Sequence, residues 1–209
     1  QYIGYQGSGT VTQSGGTNTV ANTLYTARFD GSTGTYNLEG GTLTANAVDN
    51  RGSFNQSGGT VASGTTFYNN GYFSYSGGNF YGTLILNEEG SLSQSSGTTL
   101  SVSGGITNND YWSIYSGRTV NANGSGLINS NAIYLQGDLG GSGQLVNNGR
   151  FEADGGEIHG SGGFVNSGIF DQDYDLVFNN TGDFDNLAIY NMAHETRLTL
   201  GASSVSFTN

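Results

Sequence analysis

The residues best equipped for chemistry in this 209-residue chain are carboxylates. Asp171, Asp173 and Asp175 alternate in D-Q-D-Y-D, and on an extended strand that spacing sends all three side chains to one side. Hard cations such as Ca²⁺ take clustered carboxylate oxygens as ligands, so calcium is the metal and the only cofactor nominated there. The run follows neither the EF-hand loop nor the G-G-x-G-x-D nonapeptide, and the competing reading is a solvated acidic strand face. A second group, Glu152, Asp154 and Glu157 beside Arg150 and His159, has the ingredients of polysaccharide chemistry. Such chemistry needs two carboxylates at a set separation, or a metal beside a base. All five fall within one repeat, with no long loop to close a cleft over them, so a solvated face is again expected. His194 has no nucleophile at a usable spacing, and Gly140-Gly141-Ser142-Gly143 opens no helix that would cradle a phosphate. No catalytic residue is assigned, and the chain is read as non-enzymatic.

Two sets of side chains suit recognition better than catalysis. Tyr68, Tyr72, Tyr75, Tyr81, Tyr111 and Tyr115 are expected to point outward, where tyrosine suits sugar stacking or lateral packing. Thr17, Thr42, Thr60 and Thr98 share one position of the repeat, but Asn79, Arg118 and Glu157 interrupt the row. A flat ice-binding array needs regularity, and threonine in strands needs no special purpose. Asn123-Gly124-Ser125 and Asn179-Asn180-Thr181 match glycosylation sequons, which arise by chance in so Asn- and Ser-rich a chain.

What would position these residues is a repeat. The stretch from Asn50 to Asn69 returns to its starting motif after 19 residues, and most of the chain is that loop rewritten. Marker positions fall at Gly9, Gly34, Gly52, Gly71, Gly90, Asp110, Asn131, Gly149, Gly168 and Ala188, at intervals of 25, 18, 19, 19, 20, 21, 18, 19 and 20. Gly, Asn and Asp there suggest a turn with φ > 0. Two residues later comes an apolar column: Val11, Tyr36, Phe54, Phe73, Leu92, Trp112, Ile133, Phe151, Phe170 and Tyr190. A second column, four residues before the marker, runs through Val48, Phe67, Leu86, Ile106, Leu127, Leu145, Phe164 and Phe184. A third takes Leu43, Val61, Phe80, Leu100, Val120, Leu139, Ile158 and Val177. Two residues before the marker stand Asn50, Asn69, Asn108, Asn129, Asn147, Asn166 and Asn186, with Ser32 and Glu88 as exceptions; stacked amides there can form a hydrogen-bonded ladder. Three apolar columns imply three strands per coil, in the type coil Ser53–Gln56, Thr60–Ala62 and Thr65–Asn69. The reading is an all-β parallel solenoid of about ten coils, each of about 19 residues.

Composition agrees. Thirty-seven Gly and no Pro would suggest disorder, but aromatics at 12% fall on the inward columns, and stacked repeats fold on little apolar content. There is no Cys, hence no disulfide or thiolate metal site. Sixteen acidic residues against five Arg and no Lys give a net charge of −11, which repels nucleic acid and anionic lipid alike. No run approaches a membrane span.

The chain is read as one solenoid segment, 1–209. Residues 1–49 hold longer variant repeats, 50–190 regular coils, and 191–209 a drifted last coil with Leu198, Leu200, Val205 and Phe207 alternating. Q-Y-I-G-Y, G-T-V-T-Q-S-G-G-T-N-T-V and G-T-Y-N-L-E-G-G-T-L-T-A resemble the autotransporter-associated and PEP-CTERM-type repeats of large bacterial surface proteins. The later coils are similar to those of filamentous-haemagglutinin-like adhesins. The resemblance implies a right-handed parallel β-helix, the hand that parallel connections favour in general, belonging to a longer exported bacterial protein. The function expected is that of an extracellular structural or adhesive rod or fibre, contacting copies of itself or cell-surface glycans and proteins. The alternative is a polysaccharide-binding or polysaccharide-degrading β-helix.

Overall fold

The computed structural model describes residues 1–201 and 207–208. Among them every regular element is a strand, and parallel strands stack as a β-solenoid of about ten turns repeating about every 20 residues. Contacts divide the chain, read from sequence as one segment, into two compact units, Gln1–Gly104 and Gly105–Asn209. The type coil has strands Ser53–Gln56, Thr60–Val61 and Thr66–Asn69, within a residue of the expectation. In the first two full coils the chain stays extended through its corners, as strands Ser8–Thr26 and Thr33–Asn50. In the last coil Leu198–Leu200 pairs with Leu176–Phe178 and Phe207–Thr208 with Phe184–Asp185. Val205 lies outside the described residues.

The cores follow from alternation. A strand sends successive side chains to opposite faces, so a two-residue spacing from each marker turns one apolar side chain inward per coil. In the first unit Val11, Tyr36, Phe54, Phe73 and Leu92 are directly cross-strand partners. In the second, Trp112, Ile133, Phe151, Phe170 and Tyr190 form the same series on a five-stranded parallel sheet. Tyr36 stacks on Phe54 at 5.3 Å, and Phe170 on Phe151 and Tyr190 at 5.1 Å each. Phe67, Phe80, Phe164 and Phe184 wedge edge-on or tilted against these rings. Each fully buried ring contributes about 1.5–3 kcal/mol, and each such pair up to about 1.5 kcal/mol more. Leu92 and Tyr190, at the rims of their series, are only half-buried.

Three sequence expectations change. Val177 is outside and Phe178 inside: Glu157 pairs with Val177 and Ile158 with Phe178, because this coil carries an extra residue. With a side-chain period of two, a one-residue slip exchanges the faces. In the second column Phe67 pairs with Leu84, while Leu86 takes the place of an asparagine opposite Asn69. The marker glycines do not need positive φ; left-handed glycines stand at other positions of the coil, Gly41, Gly59 and Gly78 among them. Where the marker is glycine, the neighbouring coil's backbone approaches too closely for a Cβ. A Cβ would lie 2.2 Å from the Gly34 carbonyl oxygen at Gly52, and 2.0 Å from those of Asn131 and Gly149 at Gly149 and Gly168.

Candidate functional site

The corner that precedes most of the markers is built from amides. Asn50 Nδ2 donates to Asn69 Oδ1 at 2.8 Å, and in the second unit Asn108, Asn129, Asn147, Asn166 and Asn186 are joined by four such bonds of 2.7–2.8 Å. The Nδ2 groups of Asn50, Asn69, Asn108, Asn129, Asn147 and Asn166 also donate to main-chain carbonyls of the next coil: Tyr72, Ser91, Ala132, Arg150, Ile169 and Ile189 at 2.9–3.0 Å. These amides are buried, and burying a polar group is tolerated only when it is hydrogen-bonded. The corner is thus a fixed framework, and what it presents lies on the strands either side.

After the corner in the second unit, the five-stranded sheet shows solvent two rows of side chains in cross-strand register. Tyr111, Ala132, Arg150, Ile169 and Ile189 make one row, and Ser113, Tyr134, Glu152, Asp171 and Asn191 the other. Polar bonds tie them together. Arg150 pairs with Asp171 at 2.9 Å and with Glu152 at 3.3 Å, and Asn191 Nδ2 donates to Asp171 Oδ1 at 2.8 Å. The Tyr134 hydroxyl and Gln136 Nε2 both donate to Asp154 Oδ2. That bond to the carboxylate pushes the Tyr134 phenol up to about 12, since an adjacent anion opposes its ionisation. Before the corner, Ile128, Val146, Val165 and Asp185 form a further outward row of the same unit.

The carboxylates singled out from sequence are dispersed by this geometry. The strand Ile169–Gln172 ends before Asp173, so Asp171, Asp173 and Asp175 do not share one strand face. Asp171 is engaged by Arg150 and Asn191, and Asp175 Oδ1 accepts the Arg197 backbone N–H at 2.7 Å. Asp154, Asp173 and Asp175 border an open hollow of about 510 Å³ with His194 and Glu195. Among the described residues no group of three His, Cys, Asp or Glu side chains is arranged to hold a metal ion. Glu152 and Asp154 belong to the five-stranded sheet and its rim, whereas Glu157 and His159 stand on Glu157–Gly160 in the other sheet, where His159 closes over Gly140.

Of the tyrosines, Tyr68, Tyr72, Tyr81, Tyr111 and Tyr115 are exposed. Tyr75 is not: two residues past Phe73, it points inward, and its hydroxyl donates to the Gly78 carbonyl at 2.8 Å while burial raises its pKa. Thr17, Thr42 and Thr60 are cross-strand neighbours and Asn79 ends the row. The sequence reading passed over Tyr2, Tyr5 and Phe29, all about half exposed. The signal that could have found Phe29 is the 25-residue interval, which is longer than any other in the repeat. Comparison with protein-family models, with curated proteins and with solved structures finds no match to this chain.

Proposed function

We propose that the chain is part of an extracellular bacterial structural or adhesive protein, in which a stiff solenoid presents repeated side-chain rows to many weak partners at once. The observation that supports this reading is the sheet face of Gly105–Asn209: five successive coils hold Tyr111, Ala132, Arg150, Ile169 and Ile189 in register beside a second, hydrogen-bonded row. Repeated contacts gain by multivalency, because each further engagement is intramolecular once the first is made. The charge of −11 favours neutral or basic partners over nucleic acid or anionic lipid. The resemblance of the glycine- and threonine-rich repeats to those of autotransporter and haemagglutinin-like surface proteins points the same way.

The test is to image the purified protein by negative stain, and to measure its retention on bacterial and host cell surfaces. Filaments, bundles or saturable retention are expected. A monodisperse protein that neither assembles nor adheres, and that releases reducing ends from polysaccharide, would overturn the reading in favour of a β-helix hydrolase.

A further inference from the structure

Three steps of the chain join an asparagine to a glycine: Asn70-Gly71, Asn123-Gly124 and Asn148-Gly149. Such a step can react with itself. The glycine backbone nitrogen attacks the asparagine Cγ, most readily where, as in glycine, no Cβ hinders the approach. In the folded protein two conditions decide which step reacts. The nitrogen must be free of a hydrogen bond, and the carboxamide must be free to release its own nitrogen.

Two of the three are locked, both at marker glycines. The Asn70 carboxamide is held at each end: Nδ2 donates to Asp49 Oδ1 at 2.8 Å, and Oδ1 accepts Asn87 Nδ2 at 2.8 Å. The Asn148 side chain is exposed, but Gly149 N–H donates to the Asn129 carbonyl at 3.2 Å. Gly71 and Gly149 are also pressed against the coil before. A Cβ would lie 2.5 Å from the Gly52 carbonyl oxygen at Gly71 and 2.0 Å from that of Asn131 at Gly149, so neither backbone has room to twist towards its side chain.

Asn123-Gly124 differs on each count. It stands in the turn between the strands Thr119–Ala122 and Leu127–Asn129, closed by Gly126 N–H donating to the Asn123 carbonyl at 2.9 Å. Gly124 is exposed, with φ 56°, and among the described residues its N–H makes no hydrogen bond. Asn123 Nδ2 is equally unengaged among them, whereas Oδ1 accepts Ser142 N–H at 3.0 Å and Ser142 Oγ at 3.2 Å from the next coil. Those two donors sit on the oxygen that gathers negative charge when Cγ is attacked, as in an oxyanion hole. The nitrogen that must leave is the free end.

We infer that Asn123 is a self-modifying site, which loses its side-chain amide with water as the only co-reactant. Hydroxide takes the Gly124 N–H proton, the nitrogen bonds to Asn123 Cγ, and the Cγ–Nδ2 bond breaks as ammonia leaves with a proton from water. The five-membered imide then adds one water. Opening of one or the other carbonyl–nitrogen bond gives aspartate or its β-linked isomer, and nothing is oxidised or reduced. The chain's charge of −11 gains one further negative charge, and in the aspartate product the Ser142 donors are in place to bind it. The inference does not depend on the adhesive reading.

The experiment incubates the full chain in neutral and in mildly alkaline buffer, folded and in urea. Proteolysis and tandem mass spectrometry then follow the mass gain at each Asn-Gly step. In urea the three steps are expected to react at similar rates. In the folded chain Asn123 is expected to react about tenfold faster than Asn70 or Asn148, and faster again in alkaline buffer. Gly124→Ala should slow the Asn123 step about tenfold, and this variant is also compared in urea, where any effect of the substitution on the turn is removed. An unreacted Asn123 in the folded chain, Asn70 or Asn148 reacting as fast, or a rate indifferent to Gly124→Ala in urea, overturns the inference.

Discussion

In the unit Gly105–Asn209 the corner column is asparagine in five successive coils, whereas in Gln1–Gly104 the same column reads Thr26, Asn50, Asn69 and Leu86. One run is an unbroken chain of amides. The other starts from a hydroxyl, Thr26 Oγ1 donating to Asn50 Oδ1 at 2.6 Å, and gives way to a buried leucine. The corner accepts either chemistry because coil geometry is set elsewhere, by the inward rings and by the close backbone approach at the marker glycines. What the ladder imposes is a condition on its members: each buried amide needs the one beside it, so interior positions are costlier to change than ends.

Four measurements bear on the difference between the units. The largest effects belong to what the units share. Phe170→Ala, beside Phe151, Phe164, Phe184 and Tyr190, and Phe73→Ala, beside Phe54, Phe67 and Phe80, should each lose about 4 kcal/mol in urea unfolding. A large inequality between them would show that the two cores are not equivalent. Next come the ladders. Asn147→Ala, in mid-run, leaves a donor of Asn129 and an acceptor of Asn166 without their partner and should cost about 3 kcal/mol. Asn69→Leu, next to Leu86, removes one acceptor of Asn50 but has no amide beyond it to orphan, and about 1 kcal/mol is expected from the same denaturation curves. Equal losses would mean that the amides act singly.

A pH scan tests both units more gently. Burial pushes the Tyr190 phenol up to about 12 and raises that of Tyr36, while the carboxylate of Asp154 holds Tyr134 at about 12. A folded-state pKa above the unfolded value of about 10 favours the neutral phenol, so this stability is complete below pH ~10 and lost as pH rises towards ~12. Melting temperature should fall over that window, and Tyr134→Phe should remove one of the late-titrating phenols from the ultraviolet titration. The smallest effect is at the surface: Asp171→Asn breaks a solvent-screened pair with Arg150 and should change stability by about 0.5 kcal/mol, less in high salt.

How much of this was legible follows from the spacing. Phe54 and Phe73, or Phe151 and Phe170, lie 19 residues apart, so their stacking could be read directly. Asn108 to Asn186 were legible for the same reason, although their carbonyl partners in the next coil were not, because sequence shows columns and not the contacts between them. Legibility failed where coil length changed. Phe67 to Leu84 is a short step and Glu157 to Val177 a long one, and each moved a side chain out of the column assigned to it. Tyr75 was misread through neglect of alternation. Asp171, Asp173 and Asp175 were read as one face because nothing in D-Q-D-Y-D marks Gln172 as the end of a strand. The glycine markers were found for the wrong reason, since a backbone that must turn and a backbone that is touched select the same residue.

The asparagine run also has a direction. Every Nδ2 from Asn108 to Asn166 points to the Oδ1 of the following coil, and the main-chain carbonyls beside it accept only N–H, so no single amide can turn round without facing donor to donor. Aligned amide dipoles add, as they do along an α-helix. The second unit therefore carries a built-in electrical polarity, with its positive pole at Asn186 and its negative pole at Asn108, in a chain whose described residues contain no helix to supply one.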